Sequence, residues 1–168
     1  ISGGGSAPVT VALRGCGPGC FVGPVSWRSG LHEVDLRVDT EGWHGGSAVL
    51  SVLWPPQVDD QVLDRVVVAM RAQPALTIVE RVTSDTSRPD PPAQTVHLDG
   101  PEFLESEPYG NATGLEVVAL PGLGDRTVIA FGLPAEGVYF RLEVDASYRI
   151  VRETLAAPKH LVERTFSY

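Results

Sequence analysis

The sequence predicts a mostly β, α+β fold: one helix set among strands that are nearly all antiparallel. Three observations carry this. Apolar and polar residues alternate along much of the chain, the period of strands with one dry face. Short turn-forming stretches such as "LGD", "PAEG" and "DAS" separate the alternating runs, as in an antiparallel meander. One stretch, "VDDQVLDRVVVAMRAQPA", breaks the pattern with apolar residues at three- and four-residue steps.

Residues 1–8 open without a methionine or a charged-then-apolar signal segment, and their glycines read as a flexible linker on an excised fragment. Residues 9–56 read as a small β-strand unit built from "VTVALRG", "CFVGPVSW", "LHEVDLRVDT" and "GGSAVLSVLWP". In the third run Leu31, Val34, Leu36 and Val38 interleave with His32, Asp35, Arg37 and Asp39, and "TEGWHGG" supplies a hairpin connection to the fourth. The unit is similar to part of an immunoglobulin-like sandwich. It is small to stand alone, so it is expected to pack on the rest of the chain or on a second copy, which would make a homodimer.

Residues 57–168 read as a helix plus an antiparallel sheet. Pro55 and Pro56 end the preceding strand, Asp59 or Asp60 can cap the helix, and Pro74 stops it, giving a helix over about 59–73. Val62, Val66, Ala69 and Met70 form its buried stripe. The strands expected after it are "LTIVERVTS", "QTVHLDG" with "EFLESEPY", "GLEVVALPG", "RTVIAFGL", "GVYFRLEVD", "YRIVRETLAA" and "HLVERTFSY". Residues 84–94, proline-rich and polar, read as a mobile surface loop, and "NAT" at Asn111 as a loop. In "VYFRLEVD" the alternation puts Val138, Phe140, Leu142 and Val144 on a dry face. A helix of about 15 residues, roughly 22 Å long, is short cover for a sheet of six or seven strands, roughly 29–34 Å wide. The uncovered part is expected either to take the N-terminal strands and Trp54, or to leave an apolar ligand groove beside Phe140, Leu142, Val66 and Met70.

Composition narrows function by exclusion. A net charge of −8, with 13 Lys and Arg scattered singly, denies a nucleic acid its electrostatic footing. One lysine, Lys159, against twelve arginines points to a GC-rich genome. No apolar run reaches the roughly 18–20 residues of a membrane-spanning helix. No G-x-S-x-G elbow, phosphate loop or H-E-x-x-H is present, so an enzyme is not expected. The acid pairs Asp59/Asp60 and Glu105/Glu107 are explained more simply by helix capping and surface solvation than by acid–base catalysis.

Cys16 and Cys20, the only cysteines, lie in "LRGCGPGCF". They lack the second ligand pair of a zinc site and the two-residue spacing of a thioredoxin-type motif. Gly17, Pro18 and Gly19 permit the tight turn a disulfide needs; free thiols are the alternative. A disulfide would place the chain outside the cytoplasm. His32, His44, His97 and His160 are too far apart to form a recognisable ligand set, leaving His44 in "GWHGG" as the candidate copper ligand. No other cofactor is expected. Met70 reads as core filler. Trp27, Trp43 and Trp54 read as caps on a small core, with docking on a partner domain or on membrane headgroups as the alternative.

Two resemblances follow from these stretches. Residues 13–56, "LRGCGPGCF" through "VSWRSGLHEVDLRV" to "GWHGGSAVLSVLWPP", resemble the extracytoplasmic segment that follows the membrane part of some bacterial copper-resistance proteins of the CopC/CopD kind. That likeness implies a non-catalytic accessory domain, periplasmic or on the cell surface, tethered to the membrane part of its own parent protein. The chain lacks the Met/His-rich loops of copper chaperones. From about residue 59 to "VYFRLEVDASYRIVRETLAAPKHLVERTFSY" the chain resembles LolA/LppX-like lipoprotein carriers. This implies a curved half-barrel and, as the alternative role, a carrier or sensor of a lipophilic ligand.

Overall fold

The computed structural model describes residues 1–3, 8–17, 20–40, 43–84, 90–112, 114–121, 125–133 and 135–168. Within the N-terminal part lie β1 (Ser2–Gly3), β2 (Arg14–Gly17), β3 (Cys20–Val22), β4 (Gly30–Thr40) and β5 (Trp43–Trp54). β2 and β3 form one hairpin, and β1, β4 and β5 form a three-stranded sheet dominated by the β4–β5 ribbon. Ser2 and Gly3, expected in the linker, pair with Asp35 and Val34. Residues 9–13 and 23–27, expected in strands, are not in strands. Pro24 removes a ladder donor there, and Gly23 sits so close to Val11 that a Cβ would lie 2.5 Å from its side chain.

The rest of the chain carries β6 (Gln57–Val58), α1 (Asp60–Arg71), β7 (Leu76–Ser84), β8 (Gln94–Leu98), α2 (Gly100–Ser106) and β9 (Val118–Pro121). It ends with β10 (Thr127–Leu133), β11 (Val138–Val144), β12 (Ile150–Ala157) and β13 (His160–Ser167). These strands form an open eight-stranded antiparallel sheet in the order β6-β9-β10-β11-β12-β13-β7-β8. The mostly β, α+β class therefore holds. β9 to β13 make the expected meander, and β13 then lies against β7, from His160 opposite Ser84 to Ser167 opposite Thr77.

α1 begins where Asp59 accepts the Gln61 N–H and an ion pair from Arg65 at 2.8 Å, so Asp59 is the cap. Its stripe of Val62, Leu63, Val66 and Met70 is buried on the sheet, while Val68 on the opposite side is exposed. Met70 does more than fill space: its sulfur accepts the Ile150 N–H at 3.3 Å, beside the register shift between β11 and β12.

The expectation of a single helix is corrected. "EFLESEPY" is expected as a strand, but residues 100–106 form α2 because Asp99 and Glu102 make a reciprocal capping box and a proline occupies its first turn. Gly100 lets α2 start against the end of α1. Its N–H donates to Gln73 O at 2.9 Å, and a Cβ would stand 1.8 Å from Met70 O. The cover that one helix could not supply comes from α2 and Tyr109. Tyr109 packs edge-on to Phe131 and Phe140 with ring centroids 5.4 and 5.0 Å away, and Phe103 meets Phe166 at 5.2 Å.

Candidate functional site

The dry face of the large sheet is interrupted by charge. In β7 the inward phase runs Leu76, Ile78, Glu80; in β13 it runs Val162, Arg164, Phe166; in β12 it includes Glu153. Strand pairing aligns these charges, because Glu153 stands opposite Arg164 and Arg164 opposite Glu80. Glu107, at the C-terminal cap of α2, comes down on the same guanidinium. Arg164 Nη1 donates to Glu107 Oε1 at 2.5 Å and to Glu153 Oε1 at 2.6 Å, and Arg164 Nε donates to Glu80 Oε2 at 2.7 Å. Tyr109 Oη donates to the second oxygen of Glu153 at 2.6 Å.

Three carboxyls thus share one cation inside a core. The Glu153 side chain is 0% exposed and that of Glu107 is 4% exposed. Burial, then the nearby Glu153 charge, pushes the Glu107 carboxyl up to about 7 against the pull of Arg164. Glu153 is also raised, chiefly by burial and despite Arg164 and Tyr109. Both Glu153 oxygens act as acceptors, which leaves Glu107 as the carboxyl suited to hold a proton. Burial and the two carboxylates raise Tyr109 well above the usual phenol value, so its hydroxyl stays a donor. The surface-solvation expectation for Glu107 is corrected: its partner Glu105 is exposed, but Glu107 turns inward.

The arrangement offers a fixed charge network but no nucleophile beside a base. Phe140, Leu142, Val66 and Met70 do come together, as expected, but within the sealed core, with Phe131 stacked on Phe140 at 5.0 Å. The groove expected beside them is filled, because α2 and Tyr109 occupy its place. Trp54 is 43% exposed and Trp27 half-buried, so the expected cover by Trp54 is also corrected. A cleft of about 550 Å³ lies elsewhere, between the start of α1 and residues 112 and 114–117. Leu63, Leu115 and Val117 give it an apolar lining, and Gln61, Asp64 and Glu116 a polar one.

Cys16 and Cys20 fall on the two arms of the β2–β3 hairpin. Their side chains, and therefore the expected disulfide, lie outside the described residues, as do the side chains of Trp43 and His44. His32 Nε2 is 3.1 Å from Arg28 O, His97 Nδ1 is 3.1 Å from the Thr77 hydroxyl, and His160 is exposed at the start of β13. Residues 85–89 of the polar loop also lie outside the described residues. Among those described, no helix is long and apolar enough to cross a membrane.

Sequence reading missed the charge network because no single strand displays it. The available signal was one charged residue in the apolar phase of β7 and another in that of β13, both within the tripeptide "VER" at 79–81 and 162–164. The two tripeptides pair in register so that Glu80 meets Arg164 inside while Arg81 faces Glu163 outside. No protein-family model and no curated protein matches this chain.

Proposed function

We propose that the chain is a non-catalytic domain that works by protein contact, on the extracytoplasmic side of a membrane protein concerned with copper resistance or transport. The observation that carries the contact role is the apolar surface of the N-terminal part. Phe21 is 70% exposed and Val49 61%, with Leu13, Val22 and Trp54 also exposed. Leu13, Phe21 and Val22 lie on or beside one hairpin, and exposed apolar side chains so close along the chain suit an interface better than a free surface. The likeness of residues 13–56 to CopC/CopD-type proteins supports the copper-handling parent, and the position of Cys16 and Cys20 on one hairpin favours an oxidising compartment. Any copper held by this chain itself would rest on His44.

The carrier or sensor reading has one observation in its favour, the cleft lined by Leu63, Leu115 and Val117. A lipophilic ligand would sit there rather than beside Phe140 and Leu142. One experiment separates the roles. A photo-cross-linking residue replaces Phe21 in the full gene product, and the purified chain is titrated with Cu(I), Cu(II) and an apolar fluorescent dye. Cross-links to membrane segments of the same product support the contact role. Absence of those cross-links, with saturable dye uptake, replaces it with the carrier role; cross-links between copies indicate a homodimer.

A further inference from the structure

The open eight-stranded sheet has two ends, and they are finished differently. At one end stands β6, two residues long and directly preceded by Pro55 and Pro56. At the other stands β8, five residues long, which pairs with β7 on one side; among the described residues no strand pairs with its other side. Strand edges are ordinarily guarded by a lysine, a proline, a bulge or very short length. β8 has none of these guards. It reads Gln94, Thr95, Val96, His97 and Leu98, in unbroken register with β7 from Leu98 opposite Leu76 to Gln94 opposite Glu80.

β8 also carries the dry face of the sheet to its edge. Val96 and Leu98 stand opposite Ile78 and Leu76 in the inward phase, and Leu98 packs on the core. Both are only half-buried, while Thr95 and His97 on the other face are exposed. An extended segment laid along β8 would gain main-chain hydrogen bonds and bury an apolar side chain beside Val96.

Charge selects the occupant. Residues 89–125 contain no lysine or arginine, and β8 runs between Asp90 before it and Asp99, Glu102 and Glu105 after it. Asp90, Glu102 and Glu105 are exposed. Two-fold antiparallel pairing of β8 with β8 of a second copy would set the Asp90 end of each against the Asp99 and Glu102 end of the other, between chains that each carry −8. A segment with basic ends meets the opposite field.

We infer that the free edge of β8 is a docking strand for an extended peptide segment of a partner protein, uncharged and alternating in its middle and basic at its ends. This contact uses none of the N-terminal apolar residues around Phe21 and holds whether or not they form an interface.

The test follows backbone amide resonances of the whole chain during titration with a capped octapeptide of alternating threonine and valine flanked by two lysines at each end. Saturable shifts centred on residues 94–98 are expected. Bound peptide should also slow hydrogen exchange at least about tenfold at alternate β8 amides, those pointing away from β7. The same peptide with glutamates in place of the lysines should bind at least about tenfold more weakly at low salt, with the gap narrowing as salt is added. Val96→Lys, which puts a guarding charge on the edge, should abolish the β8 shifts while the resonances of β10 to β12 stay in place. Equal binding of the two peptides, shifts that avoid β8, or no saturable shift overturns the proposal. So does concentration-dependent broadening of β8 in the chain alone, which assigns the edge to a second copy. Should Val96→Lys fail to fold, the wild-type exchange pattern decides: protection at alternate β8 amides supports the docking strand, and uniform or absent protection removes it.

Discussion

The large sheet and the N-terminal ribbon are made from the same alternating pattern, yet they bury it differently. On the sheet, the inward residues of β10, β11 and β13 meet two helices and Tyr109, and Ile129, Leu142 and Val144 lose all contact with water. In the ribbon, Val34 is buried on one face, while Val49, opposite Asp35 on the other face, is exposed. An amphipathic strand states that a dry face is needed, but not what will cover it. A ribbon extended only by the two residues of β1 has little to cover itself with, and an isolated hairpin is marginal in water.

The comparison predicts a steep gradient of mutational sensitivity. The largest effect is expected at Val66, fully buried under the sheet, where Val66→Asp introduces an unpaired charge. Chemical denaturation should show a loss of about 3–5 kcal/mol or no cooperative transition at all; an unchanged midpoint would mean that α1 is peripheral. Arg164→Met strands Glu80, Glu107 and Glu153 without their cation. It should cost about 3–5 kcal/mol at pH 8 and visibly less at pH 5, where carboxyls displaced upward can take protons. Equal losses at the two pH values would show that the carboxyls do not carry the penalty.

Met70→Leu comes next. Exchanging these residues in a core is ordinarily mild, but here it removes the acceptor of the Ile150 N–H. A loss of about 1–3 kcal/mol is expected in thermal or denaturant unfolding, the cost of leaving a buried donor unpaired. Phe21→Ser in the neighbouring β2–β3 hairpin of the N-terminal part should change stability by less than about 0.5 kcal/mol. It should still lower any cross-linking yield to the parent's membrane segments, which separates a contact residue from a structural one. A stability loss comparable with that at Met70 would place Phe21 in a core and close the gap between the two regions.

How far the sequence reveals this molecule depends on the range of the interactions. β7 over 76–84 and the inward phase of β11 are legible because strand alternation is local, and α1 is legible because its stripe and caps lie within one short stretch. α2 was missed although "DGPE" states a capping box, because Phe103 and Leu104 also suit a short strand. The charge network was missed for a different reason. Arg164 looks like a solvated residue until β13 is known to lie between β12 and β7, and Glu107 joins it across 57 residues of sequence. Pair order in a sheet is a long-range property that alternation does not encode.

The placement of β13 has a consequence for the order of assembly. β7 precedes its partner by a meander of four strands, so one edge of the β7–β8 hairpin stays unpaired while β9 to β12 are made. During that interval Glu80, Glu107 and Glu153 have been synthesised and Arg164 has not. Non-local closure of this kind is slow, because the chain entropy between partners must be lost before the contacts form. Here the closing strand delivers the neutralising cation as well as the missing hydrogen-bond ladder. Joining the two halves of the sheet and settling its interior charge are therefore one event, and a chain caught before it exposes both an open strand edge and an acidic interior.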